Sequence, residues 1–239
     1  MTRSTNARVA GVAYLLYIAA AFPSMLISGR ASAGSDTAAK LASMAQHAGD
    51  VRLAAFLGLV GCLCALVLAV TLYAVTRDED RDIAMLGLTC RVAEGITGAV
   101  GIPSTLALLA LAMAGRANAP DMQAAQSIGA LVFRHSGAVG AWFFAVGSTA
   151  FCWLLLRGRM IPVPLAWLGV VASVLLVIAL PLQIGALLPG LLVQLVWLPM
   201  AAFEIPLGVW FIVKGVRSRT DAQPLRVGSG TGQGDVRAT

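Results

Sequence analysis

Three ionisable residues interrupt stretches of this chain that are otherwise apolar or small. Arg91 and Glu94 lie three apart in "GLTCRVAEGITG", residues 87–98, and Glu204 lies in "PMAAFEIPLGVW", residues 199–210. A guanidinium is a permanent cation with five donors, and a carboxylate is an acceptor that can also take up a proton. Such a set has three uses in an apolar medium: it can clamp helices together, hold the polar end of a ligand, or carry a proton. Two carboxylates near one guanidinium leave a net charge of −1, so one carboxyl becomes a candidate proton carrier through desolvation and like charge. His135, Gln194 and Tyr17 stand near apolar segments and complete the candidate set. Histidine is the side chain whose ordinary pKa lies nearest neutral pH, which makes His135 a candidate, and Tyr17 offers a hydroxyl.

The segments that must position these residues are long and apolar. Of 239 residues, 59% are hydrophobic and 12% charged, about half the charge of a soluble domain, and the mean hydropathy is +0.84. Apolar runs cover 9–27, 53–75, 83–114, 137–156, 163–182 and 191–213. About 20 apolar residues span a bilayer as a helix. The expected fold is therefore all-α: a polytopic membrane protein with six transmembrane helices over residues 9–215. An N-terminal segment 1–8 and a polar, Gly- and Ser-rich tail 216–239, expected to be disordered, flank it. The third run is too long for one simple span and should extend past the membrane or bend.

The net charge of +6 does not indicate nucleic acid, because the charges sit in short segments between apolar runs. Lys and Arg in such segments set orientation. The N-terminus, the second and fourth loops and the tail carry eleven of them, and the opposite side carries five. Both termini are expected in the cytoplasm. The N-terminus also has a rival reading as a cleaved signal ending at "ASA", residues 31–33. Its apolar run of 19 residues exceeds the roughly 7–15 of a signal, so a retained first helix is expected.

Two external loops carry helix signals. In the first, Asp36 is placed to cap, and Leu41, Met44, Ala45 and Ala48 recur at helical spacing. In the third, Pro120 and Asp121 suit a first turn, and Met122, Ala125, Ile128 and Val132 form a stripe. That amphipathic helix is expected to run straight into the fourth span.

Helix rise places the charges. Arg91 should lie roughly 13 Å from the cytoplasmic edge, Glu94 roughly 18 Å and Glu204 roughly 15 Å. Tyr17 is level with Arg91. On the third span Gly87, Arg91, Glu94, Gly98 and Gly101 share a stripe with Gly95 beside it, and glycines permit close helix approach in membranes. On the sixth, Gln194, Trp197, Ala201, Glu204 and Gly208 share another. Pro199 and Pro206 flank Glu204 and free the carbonyls of Leu195 and Ala202. An isolated charge at the membrane centre costs about 2.5–3.5 kcal/mol even on lenient scales. The expectation is a contact between the third and sixth helices, in which Arg91 bonds Glu204 with Glu94 close by. A register clamp without further function explains the cluster equally well. His135, Gln183 and Gln194 form a second, outer polar layer, with interfacial polarity as the plain reading. The tryptophans at 142, 153, 167, 197 and 210 lie mostly near span ends, as interface anchors do.

Other chemistry is missing. Cys62, Cys64, Cys90 and Cys152 all lie in apolar spans without metal or disulfide spacing. No phosphate-binding loop, zinc-protease motif, dinucleotide fingerprint or nucleophile elbow occurs. The two histidines sit on separate segments, which argues against haem or zinc. No cofactor and no metal are expected.

"ARVAGVAYLLYIAAAF", "RVAEG", "FRHSGAVGAWFFAVGSTAFCWLLLRGRMIPVPLAWLGVVASV" and "EIPLGVWFIVKGV", in that order and spacing, resemble the bacterial integral membrane family catalogued as domain of unknown function 4386. The resemblance covers roughly residues 7–217. It implies an Arg-and-acid pair at Arg91 and Glu94, a His at His135 opening the fourth span, and a closing pattern at Glu204, Trp210, Lys214 and Gly215. Pro162 and Pro164 are extra to its pattern. It implies six membrane helices and no established activity. Three function classes follow, in order: a protein that binds or senses a small or lipid-like ligand; a small proton-coupled transporter using Glu94 and Glu204; and an intramembrane enzyme using His135 and a carboxylate. The expected partners are membrane lipid and a small-molecule ligand.

Overall fold

The computed structural model describes residues 2–114, 126–130, 137–185, 187, 192 and 195–216. Among them the chain is helical without strands. The elements are α1 (Arg3–Ala31), α2 (Thr37–Gln46), α3 (Ala48–Thr76), α4 (Arg81–Ala114), α5 (Ala138–Arg157), α6 (Val163–Ile184) and α7 (Leu198–Val213). Helices α1, α3, α4, α5 and α6 are long and apolar enough to cross a membrane, and α7, with 16 residues, is shorter. The protein is a multi-pass membrane protein.

Local chemistry accounts for the helix ends. Asp36 accepts a bond from Ala39 N–H at 2.8 Å and caps α2, whose Leu41, Met44 and Ala45 are buried. Asp80 accepts from the N–H groups of Asp82 and Ile83 at 3.2 Å and opens α4. Pro164 lies in the first turn of α6, where a missing N–H is harmless. Gly215, at φ +66°, stops α7. Gly137, at φ +89°, immediately precedes α5. α5 therefore starts afresh at residue 138, and the expected continuous run from the third-loop helix is broken there. Of that loop only 126–130 are described, and they are helical. The tail from residue 217 lies outside the described residues.

The five long helices and α7 close into a ring. Each packs on the next in chain order, and α7 closes the ring against α1. One end of the ring is clasped. Arg3 Nε donates to the Val75 carbonyl at 2.8 Å and its Nη2 lies 3.8 Å from Glu79 Oε1. Arg157 meets Asp80 at 3.4 Å. The chain start and the α3–α4 and α5–α6 turns thus share one end. At the other end α2 folds back, and Leu41 and Met44 bury against Val51, Leu108 and Leu109.

The two halves of the ring differ in filling. Toward the clasped end, Tyr14, Leu68, Leu72, Phe151, Leu176, Phe203, Leu207 and Phe211 form one core. Glycines make room for its rings. A Cβ on Gly87 would meet Phe151 at 2.9 Å, and one on Gly169 would meet Phe203 at 2.5 Å. Toward the other end, Gly61 and Gly101 have nothing within 4 Å of where a Cβ would stand. That half is hollow.

Candidate functional site

The charges sit where the filled half meets the hollow one. Arg91 is 0% exposed, Glu94 8% and Glu204 6%. Arg91 projects from α4 toward the middle of the ring. Gly147 of α5 leaves space for its stem, since a Cβ there would lie 3.1 Å from Arg91 Cγ. The guanidinium carbon lies 4.9 Å from the Phe144 ring centroid and 5.7 Å from that of Tyr17. A desolvated cation over an aromatic face gains about 2 kcal/mol, comparable with the insertion cost of the charge.

Arg91 pairs with Glu94 on its own helix. Nη1 and Oε2 are 2.9 Å apart. The contact is short but poorly aligned, and no guanidinium N–H points at a protein acceptor. It acts as a charge contact more than a hydrogen bond. Glu94 is held from the other side by Tyr17 of α1, whose hydroxyl donates to Oε1 at 2.8 Å. The level of Tyr17 inferred from helix rise thus brings a real partner.

The expected Arg91–Glu204 bond is not formed, and this corrects the sequence reading. Glu204 Oε1 is buried without a protein partner. It stays within electrostatic reach of Arg91, Glu94 and Tyr14. The reason is the ring order. α7 packs on α1 and α6, whereas α4 packs on α3 and α5, so the two face each other across the ring and are not neighbours. Equal depth placed both charges on one level but said nothing of their direction. The expected stripe holds at Glu204 and Gly208 and fails at Ala201, which is exposed; the inward face of α7 is Met200, Phe203, Glu204, Leu207, Gly208 and Phe211. Pro199 stands in the first turn of α7 and breaks no interior bond. Arg91 reaches neither of the carbonyls expected to receive it. His135 and Gln194 lie outside the described residues, and Gln183 is exposed at the end of α6.

Two residues of the cluster escaped the sequence reading: Tyr14 and Phe144. Tyr14 stands three before Tyr17 on the same helix face. Phe144, Ser148 and Phe151 follow a +4, +3 path on α5, which places them together on one side. Ser148 Oγ is buried without a protein partner.

The hollow half holds a cavity of about 850 Å³. Its floor is Tyr17 and Glu94, and its walls come from α1, α3, α4 and α5, with Trp197 closing one side. Trp197 packs on Phe144 with ring centroids 5.7 Å apart. Along α1 the cavity runs from Tyr17 to Ser28 and along α4 from Glu94 to Thr105, roughly 16 Å of helix rise in each case. Small residues such as Ala21, Gly58, Gly61, Gly98 and Gly101 make the walls smooth and apolar. Arg91 is not among the wall residues: it stands behind Glu94.

The family model described as "Domain of unknown function (DUF4386)" matches residues 9–215, which spans the helical ring except the start of α1, and every described member of the cluster. The chain belongs to the DUF4386 family. No curated protein and no solved structure matches it. For this DUF4386 protein, then, the geometry has to carry the functional reading. Among the described residues no group of His, Cys, Asp and Glu is arranged to hold a metal. The cysteines are free, with Cys64, Cys90 and Cys152 buried.

Proposed function

We propose that this DUF4386 protein binds a small lipid-like ligand from the membrane, for sensing or holding it, without chemical change. In this reading it crosses the bacterial cytoplasmic membrane six times with both termini inside, and α2 covers part of the outer end. The observation that carries the reading is the cavity of about 850 Å³ whose apolar walls end on the Tyr17–Glu94 pair. Ligand sites have this character: concave, mostly apolar, with a few placed polar groups. Among the described residues Glu204 does not line the cavity, which favours binding over proton-coupled transport through Glu94 and Glu204.

The test uses a single-chain amphiphile brominated along its chain, which quenches nearby tryptophan. The protein is held in phosphatidylcholine nanodiscs. Trp197 lines the cavity, so its share of the quenching, taken as the difference between the native chain and Trp197→Phe, reports occupancy. Saturable quenching of that share is expected. Gly101→Leu should abolish it, because the side chain would fill space that now meets nothing within 4 Å. A Trp197 share that does not saturate, or that Gly101→Leu leaves unchanged, overturns the reading.

A further inference from the structure

Two packed cores lie on either side of the cavity, and they share no residue. The large core ends toward the cavity at Tyr17 on α1 and Val67 on α3, and the Arg91–Glu94 pair marks the same level on α4. The small core joins Ala31, Leu41, Met44, Val51, Leu108 and Leu109, drawn from α1, α2, α3 and α4. Among the described residues no member of it comes from α5, α6 or α7. Tyr17 and Ala31 are 14 residues apart, Val51 and Val67 are 16 apart, and Glu94 and Leu108 are 14 apart. Roughly 21–24 Å of helix therefore separates the two cores along each of the three connections.

All three connections are weakened within that interval. Pro23 stands inside α1, six residues past Tyr17, and leaves the Ala19 carbonyl without its helical donor. Pro103 stands inside α4, nine residues past Glu94, and does the same at Ala99. Thr105 donates to the Gly101 carbonyl at 3.2 Å, a side-chain bond of the kind that bends helices. On α3 the place of a proline is taken by Gly58 and Gly61. A Cβ on Gly58 would meet only Ile102, at 3.9 Å, and one on Gly61 would meet nothing within 4 Å. Glycine is the residue that least stiffens a helix. The small core, by contrast, is tied together. Ser24 Oγ donates to the Ala54 carbonyl at 2.9 Å and fastens α1 to α3 on the outer side of Pro23 and Gly58. Leu41 and Met44 of α2 bury between the ends of α1, α3 and α4. Gly129 rests on the same helix, where a Cβ would stand 3.0 Å from Thr37 Cγ2. A tied body on three weak connections, over a hollow that does not resist its movement, is the arrangement of a hinged element.

We infer that residues 24–54, with the end of α4 from residue 104, form a cap that swings as one body on joints at Pro23, at 58–61 and at Pro103, and that this swing admits the ligand to the cavity. The large core below the cavity stays fixed, because its helices pack on one another all round the ring. The cap as a moving body stands on its own; what it admits rests on the binding reading above.

Two measurements on the full chain in the same nanodiscs test it. The first is amide hydrogen exchange of the unaltered chain, which reads the cap without any ligand and does not depend on a variant folding. Amides flanking Pro23 and Pro103 and those at 58–61 should exchange at least about tenfold faster than those of α2 and of the large core. Even protection along α1, α3 and α4, or an α2 that exchanges faster than the joints, overturns the cap as a body. The second is the rate at which the brominated amphiphile quenches Trp197 and at which quenching is lost on dilution. Pro23→Ala with Pro103→Ala supplies the missing backbone donor at each joint and stiffens both. Onset and loss should each slow by at least about fivefold, the factor that one net backbone hydrogen bond represents, while the concentration at half-saturation stays the same. A change in pocket shape alone would move that concentration instead. Unchanged rates in the double variant overturn the role of the cap in admission and leave the binding reading standing. Absence of saturable Trp197 quenching in the unaltered chain removes the binding reading and admission with it, and the exchange pattern alone then decides the cap.

Discussion

Replacing Arg91 by Leu removes the one cation that the described residues bring to a site where two carboxylates are nearly buried. Glu94 is 8% exposed and Glu204 6%. After Arg91→Leu, Glu94 keeps only the Tyr17 hydroxyl. Removing one partner of a buried pair costs about 3–5 kcal/mol. At about 2–4 °C per kcal/mol for a chain of this size, the melting temperature in detergent should fall by about 6–20 °C. The second change then identifies the partner. Arg91→Leu with Glu94→Leu removes both ends of the 2.9 Å contact and should recover a large part of the loss. Recovery is incomplete because the Tyr17 hydroxyl loses its acceptor, at about 1–3 kcal/mol. Adding Tyr17→Phe should restore most of that remainder. Arg91→Leu with Glu204→Leu leaves Glu94 charged and unpaired, and should recover little. Melting of the native chain and these four variants, followed by tryptophan fluorescence in one detergent, gives the order directly. If the Glu204 combination recovers more than the Glu94 combination, the pair lies across the ring and the reasoning from ring order is wrong. A loss under about 1 kcal/mol for Arg91→Leu alone, no more than an exposed ion pair contributes, would show that the charge contact is not a buried pair at all.

Two further outcomes follow from geometry. Gly169→Ala should destabilise by about 1–3 kcal/mol, because its Cβ would stand 2.5 Å from a Phe203 ring that is fully buried; Gly101→Ala, which meets nothing within 4 Å, should leave the melting temperature unchanged or raised, and equal losses at both sites would refute the division into filled and hollow halves. Reporter fusions after Arg30 and Arg116 should read outside and one after Lys214 inside, and an external signal after Lys214 would sink the six crossings.

Much of this architecture is written locally. A helix long enough for the membrane is a run of apolar residues, and the runs at 53–75, 83–114 and 163–182 became α3, α4 and α6 with ends moved by a few residues. The Asp36 cap and the buried Leu41, Met44 and Ala45 emerged as read, while Ala48, the fourth of that stripe, falls in α3; a cap and a helical period involve residues within a few positions of each other. Relative level along the helices was legible for the same reason. Rise per residue is constant, so Arg91, Glu94, Glu204 and Tyr17 were placed on about one level from counting alone, and all four meet around one cluster.

What counting cannot supply is direction around a helix axis and the order of helices around a ring. Those follow from which faces pack, a property of the whole set of helices. Arg91 and Glu204 share a level but face each other from opposite sides, so Arg91 takes the acid one turn away on its own helix. The glycines show the same limit. Gly87 and Gly169 each receive a phenylalanine ring, while Gly61 and Gly101 meet nothing. The residue type is identical, and only the neighbouring helix decides whether its missing side chain becomes packed core or the wall of a cavity.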